Sequence, residues 1–426
     1  MNNRTISLLI ITILAIFGFK LYAQGDVTSP YSFIGLGDNY KKGNIRALSM
    51  GGIDIALRNN MYINMVNPAG LSGIDSLSFV GNLGVGLTNS SYRTSDLTSK
   101  FSSANINHLG IAFPLARWWK TSLVILPYSS VGYEVYDYSE VENGGTTKFI
   151  YEGDGGLDAI TWGNAFSINK RLAIGINSTY YFGKLDHSKG VTFPDSAFIF
   201  NTLVKEKVVL KGYFFEAGIQ YHQPLNATNT LSFGLTYGNN SKLNTTFDYV
   251  SMTYFGDDVY NNSSIDTIRI WSAQKATLTL PYTFGAGIAW VKENKLTVGF
   301  DFHFENWEKF KYKDQNIGYS NKLSASIGAE FIPESNTLSA YWKMVHYRMG
   351  FRYEHLGMKF EDTELKEYAL SVGFGLPLRK SKTFVDLGFE LGQNGTIDKS
   401  LIQERYFRVL LGIAIKETWF RKSKYL

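Results

Sequence analysis

Hydrophobic and polar residues alternate with a period of two along most of this chain. From Leu296 to Glu305, Leu296, Val298, Phe300, Phe302 and Phe304 fall on one face, and Thr297, Gly299, Asp301, His303 and Glu305 on the other. Successive side chains of a strand point to opposite sides, so this spacing predicts a half-apolar β-strand. The same device recurs at Leu172–Phe182, Val385–Leu391 and Phe407–Ile415. Turn signals divide residues 75–416 into about fourteen such segments, with short links at Asn169-Lys170, Lys292–Asn294 and Leu378–Lys382. Longer polar stretches, Asp186–Lys205, Asp257–Asp266 and Phe310–Tyr319, read as loops at the opposite end. Tyrosines and tryptophans (Tyr128, Trp162, Tyr180, Trp290, Trp307, Trp342, Trp419) sit near segment ends, as in the interfacial girdles of a membrane barrel. A soluble sandwich also alternates, but with shorter strands, more proline and fewer bracketing aromatics. The predicted fold class is all-β, a transmembrane antiparallel β-barrel of about fourteen strands. The even strand count returns both chain ends to the periplasmic side.

The first residues read as an address. Arg4 precedes an apolar stretch, Ile6–Phe19, and Leu21-Tyr22-Ala23 places a small residue before Gln24. That is the plan of a signal peptide over residues 1–23. The stretch is too short for a spanning helix, which needs about 20 apolar residues. Residues 24–74 lack the period of two and carry scattered glycines, yet are rich in apolar side chains (Met50, Ile53, Ile55, Leu57, Met61, Ile63). A frayed, disordered tail is normally poorer in such residues. Tucked inside the barrel formed by residues 75–426, the segment could bury them against the lumen wall as a plug.

The residues Leu48–Leu71, LSMGGIDIALRNNMYINMVNPAGL, carry a second signal. A Gly51-Gly52 turn opens a short apolar piece, and Asn67-Pro68-Ala69-Gly70-Leu71 closes it just before the first alternating strand. This arrangement resembles the N-terminal hatch of the FadL/TodX family of outer-membrane barrels. Leu123–Ser130, with Pro127 followed by Tyr128, is similar to that family's third strand, where a proline kinks the wall inward. An ordinary barrel rim with a β-bulge accounts for the proline equally well. The resemblance implies passive outer-membrane transport of long-chain fatty acids or other small hydrophobic compounds. Asn67, Pro68, Ala69, Gly70, Gly51 and Gly52 would form the gate, with lateral release into outer-membrane lipids near Pro127 and Tyr128. It covers the plug and first three strands in pattern and the remainder only in architecture, and Arg58–Asn64 departs from the family's small and acidic residues. The ending Trp419-Phe420-Arg421-Lys422 looks like Bacteroidetes members of the family. That phylum also uses FadL-like barrels as subunits of the type IX secretion machinery, which leaves a binding or scaffold role as the alternative.

Composition narrows the chemistry. The chain has no cysteine, so it holds neither disulfides nor thiolate metal sites. A formal net charge of +5, dispersed along 426 residues, does not suggest a nucleic-acid partner. The six histidines are scattered without metal-ligand spacing, and no nucleophile elbow or phosphate-cradling loop stands out. Asp301, His303 and Glu305 share a strand face, where alternation alone would place polar lumen residues. The sequence therefore points to no enzyme, no cofactor and no metal.

Overall fold

The computed structural model describes residues 29–419, apart from 142–144, 197–198, 256–265, 313–314, 317–318, 337–338, 361–362 and 380. The signal-peptide reading and most of the Asp257–Asp266 loop lie outside the described residues. Fourteen wall strands form a closed antiparallel barrel among the described residues: β1 (Ser78–Arg93), β2 (Thr98–Pro114), β3 (Trp119–Val141), β4 (Gly145–Ser167), β5 (Leu172–Thr192) and β6 (Asn201–Pro224). The next two are each interrupted once, β7 (Asn229–Gly238, then Ser241–Tyr254) and β8 (Asp266–Leu280, then Thr283–Lys292). They are followed by β9 (Leu296–Glu305), β10 (Lys322–Phe331), β11 (His346–Phe360), β12 (Thr363–Pro377), β13 (Thr383–Asn394) and β14 (Gln403–Thr418). β14 pairs with β1 from Gln403↔Arg93 to Thr418↔Ser78 and closes the cylinder. Both interruptions fall beside each other, at Asn239–Asn240 and at Pro281, whose missing N–H cannot serve the ladder.

The faces follow the alternation. Phe300 is 45% exposed on the outer surface, while its neighbour Asp301 is 2% exposed inside. β9 and β10 have ten residues each, about what a tilted strand needs to cross a bilayer. β3 to β6 run to between 21 and 24 residues, so one side of the wall stands well above the other. This corrects the expected Asp186–Lys205 loop, because β5 continues to Thr192 and β6 begins at Asn201. Cross-strand pairs such as Tyr151↔Lys189 and Lys189↔Val204 extend the sheet through residues that sequence polarity alone assigns to loop. Two of the expected girdle aromatics also turn inward. Trp307 is 4% exposed and packs on Phe310 and Tyr319, and Tyr128 packs on Tyr181.

Residues 29–74 lie against the inner faces of the strands. Met50, Ile53, Ile55 and Ile63 are fully buried there, and Leu57 nearly so. A short helix, α1 (Ile45–Leu48), is capped by Asn44, whose Oδ1 accepts the Ala47 N–H at 2.9 Å. A 3-10 turn, Pro68–Gly73, is capped in the same manner by Asn67. An irregular buried segment must satisfy its backbone polar groups somewhere, and here wall side chains do it. Asp301 Oδ2 accepts the N–H groups of Asp54 (2.7 Å) and Ile55 (2.8 Å). Gln220 donates to the carbonyls of Ile55 and Leu57, and Asn82 Oδ1 accepts the Ile63 N–H at 2.7 Å.

Two substitutions on adjacent residues separate the roles of the faces. Phe300→Asp places a carboxylate on the lipid side and should lower the folded fraction, at a cost on the order of 2 kcal/mol. Asp301→Ala should leave a barrel that still shifts on heating in gel mobility, but strand two buried N–H groups at about 1–3 kcal/mol each. Its signature is faster protease cleavage near residues 54–55. Equal barrel assembly by both variants in the gel assay would contradict the face assignment.

Candidate functional site

The wall is weakest between β2 and β3. These strands pair only from Leu109↔Ile125 to Pro114↔Lys120, six residues from the short turn, whereas β2 pairs with β1 as far as Thr98 and β3 with β4 as far as Val141. A tilted strand needs 9–11 residues to cross the bilayer, so the strands part within its thickness. The parting begins above Ile125, two residues before Pro127. The ladder between β3 and β4 shifts register between Pro127 and Ser129, leaving Tyr128 as the bulged residue. Proline removes a donor, and the bulge turns the upper half of β3 away from β2.

The free edge of β3 is paired from inside. Asp38 and Asn39 form an inner strand opposite Ser130 and Ser129. Tyr40 N–H donates to Tyr128 O at 2.9 Å, Ser29 N–H to Gly132 O at 3.3 Å, and Gly132 N–H to Ser32 Oγ at 3.1 Å. Gly37 permits the approach, since its φ is +85° and a Cβ there would sit 2.3 Å from Ser130 O.

Behind this inner strand lies a chamber of about 190 Å³. One side is apolar, with Leu126, Tyr128, Tyr181, Phe214 and Leu280; the Tyr128 and Tyr181 rings are 4.5 Å apart. The other side is charged, holding the ion pairs Lys42–Glu216 and Lys322–Glu354, with His303 beside them. A second cavity of about 160 Å³ lies across Asn39–Lys41 and is lined by Glu367, Glu404, Tyr406 and Arg408. The inner strand thus partitions the upper lumen.

On the opposite wall the segment is held by ions. Arg46 of α1 grips Glu330 with three hydrogen bonds, Nη2–Oε1 at 2.9 Å, Nε–Oε2 at 3.1 Å and Nε–Oε1 at 3.3 Å. Glu330 also accepts from Arg348 Nε at 2.7 Å, and Arg348 Nη1 donates to Asp386 at 2.5 Å. Tyr62 closes the loop: its hydroxyl donates to Asp386 at 2.9 Å, and its ring lies 5.7 Å from both guanidiniums. Higher up, Lys41 pairs with Glu354 and Glu367, and Arg352 with Glu367 and Glu390. All these acids and arginines except Arg46 stand on β10 to β13.

The sequence-selected residues divide into two groups. Asn67 is fully buried and Nδ2 donates to Ile55 O (2.8 Å), Ile219 O (3.2 Å) and Leu235 O (3.4 Å), pinning Pro68, Ala69 and Gly70 to β6 and β7. Gly51 (φ +71°) donates to Ser371 Oγ at 2.9 Å, and Gly52 faces open space. Pro127 and Tyr128 lie apart from these, at the seam and chamber. Asp301 does not stand idle as a lumen carboxylate; it holds the backbone of the inner segment. The wall partners Gln220, Asn82, Glu330, Arg348 and Asp386 escaped sequence reasoning, although each is a polar residue at an inward position of an alternating strand. Among the described residues no group of three or more metal-ligand side chains is arranged to hold an ion.

A closed barrel of fourteen strands with an irregular segment folded into its lumen is an outer-membrane-type barrel of FadL-like architecture. The BamG family model matches residues 5–426, and the chain belongs to that family. Among solved structures, a Pseudomonas aeruginosa FadL homologue is similar over 90% of this chain and 99% of its own at 12% identity, with a TM-score of 0.59. The P. putida toluene transporter TodX matches over 90% and 100% at 13% identity and a TM-score of 0.59. The CymD monoaromatic hydrocarbon channel matches over 89% and 98% at 14% identity and a TM-score of 0.56. At these identities the likeness concerns the fold. No curated protein matches.

The seam should respond to pH through Asp38. It keeps some solvent contact but is enclosed by protein, and burial, reinforced by the Glu404 and Glu367 carboxylates, pushes it up to about 7; the Ser29 hydrogen bond and Lys322 oppose the shift. An acid raised in the folded state binds its proton more tightly there, so its contribution to docking is fullest below about 4 and is lost as pH rises through about 7. A spin label on Phe33→Cys should therefore be more mobile at pH 8.5 than at pH 5.5, and Asp38→Asn should flatten the difference. Mobility independent of pH in the unsubstituted background would remove Asp38 as the cause.

Proposed function

We propose that this barrel passes small hydrophobic compounds, such as long-chain fatty acids or monoaromatic molecules, across the outer membrane without an energy source. Residues 24–74 act as its plug. The observation that carries this reading is the seam: a wall that parts within the bilayer and is closed by a two-residue inner strand. A compound reaching the chamber meets Tyr128, Tyr181 and Phe214 and stays out of water. Movement of the inner strand off Ser129 and Ser130 opens a path sideways between β2 and β3 into lipid. An apolar molecule gains by leaving this way, since burial of apolar surface is favourable by about 25 cal/mol per Å². The pinned turn of Asn67, Pro68, Ala69 and Gly70, with Gly51 and Gly52, sets the plug's resting position, and Pro127 with Tyr128 forms the exit. Solved structures of the same fold that are toluene transporters and a monoaromatic hydrocarbon channel support the substrate class.

A second reading, a scaffold subunit such as one serving type IX secretion, draws on the tall side of the wall. The Asp266–Leu280 part of β8 meets β7 on one edge, and among the described residues its other edge carries a single pairing, Thr279↔Lys311. Ile268 and Ile270 there are 61% and 62% exposed. Purification in mild detergent separates the readings: bound lipid or hydrocarbon favours passage, and stoichiometric large barrels favour the scaffold.

The absence of native cysteine allows a direct test. Asn39 and Ser129 are Cα partners in an antiparallel pair, within reach of a disulfide. Asn39→Cys with Ser129→Cys should, when oxidised, suppress uptake of a hydrophobic fluorescent probe into liposomes by roughly tenfold, about 1.4 kcal/mol of opening free energy. Reduction should restore it. Deleting residues 24–72 should instead admit small hydrophilic solutes. Undiminished uptake by the locked barrel would contradict lateral passage.

A further inference from the structure

Below the inner segment, at the mouth formed by the short turns, lies a vestibule of about 1100 Å³. Its chemistry differs from that of the upper chambers. Seven cationic side chains line it against three carboxylates, Glu293, Glu330 and Glu417. Only Arg46 and Lys416 of the seven have carboxylate partners, Glu330 and Asp75. Among the described residues the other five make no ion pair, although Lys295 lies near enough to the exposed Glu334 carboxylate to help lower its pKa. Lys295 donates to Pro333 O, Lys382 to Thr418 Oγ1 and Arg379 to Ser339 O, all uncharged acceptors, and Lys292 makes no ion pair. At the roof, Nε and Nη2 of Arg58 are shut off from solvent with no hydrogen-bond partner. Burial pulls its pKa down to about 10, so it remains charged at neutral pH.

A half-buried guanidinium whose Nε and Nη2 lack an acceptor is costly to keep, because those donors lose their hydration without recompense. Here it faces a basin whose rim adds four more unpaired cations. Two flank the β8–β9 turn (Lys292, Lys295) and two lie on the β12–β13 turn (Arg379, Lys382), so the charges stand on separate sides of the opening. A compact anion cannot meet both sides at once. A membrane headgroup approaches only from outside the cylinder, while Arg58 sits beneath the inner segment. Between the cations the vestibule is apolar, with Leu57, Met61, Ile332, Met344 and Phe384. Carboxylates spaced along a chain, with apolar side chains between them, complement that pattern.

We propose that the vestibule is a docking site for an acidic, partly apolar segment of a periplasmic polypeptide. Its carboxylates meet the rim cations and Arg58, and its apolar side chains rest on the vestibule floor. Bound there, the partner lies directly under Leu57–Tyr62 of the inner segment, which begins two residues after Ile55, the residue whose backbone Asn67 and Asp301 hold.

The test is binding of a fluorescent eight-residue peptide of alternating glutamate and phenylalanine to the full-length mature barrel in detergent, with a lysine–phenylalanine peptide as control. The acidic peptide should bind, and its affinity should fall as salt rises from about 50 to about 200 mM, as screening of rim charges requires. Lys292→Glu combined with Lys382→Glu should weaken binding roughly tenfold or more. Arg58→Met should weaken it independently. Both variants must first show the heat-dependent mobility shift of the folded barrel; the rim pair is exposed and away from the core, so it keeps the test open if Arg58→Met does not fold. Equal binding of acidic and basic peptides, or insensitivity to charge reversal at the rim, would overturn the proposal. So would complete displacement by millimolar inorganic phosphate, which marks a small-anion site, or binding seen only with vesicles of anionic phospholipid, which marks a headgroup site.

Discussion

A strand edge inside a bilayer has no water to satisfy it, and this barrel contains one that its own wall leaves open. Above Ile125 and Leu109, β3 and β2 part, and the hydrogen-bonding groups of β3 would be stranded. The inner strand Asp38–Asn39, with Ser29, Ser32 and Tyr40, supplies the missing partners. Much else follows from that substitution. Residues 29–37 must run inside the cylinder to reach the edge, Gly37 must be glycine to approach Ser130, and the upper lumen becomes two chambers rather than one channel.

The inner segment is held in two unlike ways. Toward β10–β13 it is tied by charge: Arg46 to Glu330 and Lys41 to Glu354 and Glu367, deep in the barrel. Removing one member of such a buried pair typically costs about 3–5 kcal/mol, because the other charge is left alone. Toward β3 it is tied by a handful of backbone hydrogen bonds, each worth about 0.5–1.5 kcal/mol net. The difference in magnitude decides which side moves. The proposed lateral release needs only the weaker, seam side to let go; the ionic side would keep the segment inside the barrel.

Much of this architecture was legible in the residues. The period of two at Leu296–Glu305 and Phe407–Ile415 located the strands and their faces, because lipid on one side and lumen on the other impose opposite polarity on neighbours. The buried apolar residues from Met50 to Ile63 marked a segment that needed an interior, and Pro127 marked a break in a ladder. The upper reaches of β5 and β6 were not legible, since above the bilayer a strand has no apolar face to reveal it. Trp307 and Tyr128 misled for a related reason: an aromatic at a strand end can serve an interface or a chamber, and only the register tells which. The wall residues that hold the inner segment, Asp301, Gln220 and Glu330, were visible as inward polar positions, but their partners lie hundreds of residues away in sequence or on a strand of undetermined register. The parting of β2 from β3 is a matter of pairing rather than of composition, and the adjacent segments carry ordinary strand patterns.

Amide hydrogen exchange on the folded barrel in detergent reports directly whether the inner strand pairs the open edge of β3. A wall that parts above Leu109 should show protection of β2 over Leu109–Phe113 and fast exchange at alternate amides over Thr98–His108. Tyr40 and Gly132 should be protected, and should lose that protection when the detergent micelle is saturated with a hydrophobic aromatic compound, while Leu123–Ile125 stay protected. Uniform protection along the whole length of β2, or Tyr40 and Gly132 unaffected by the compound, would contradict a seam sealed by the inner strand.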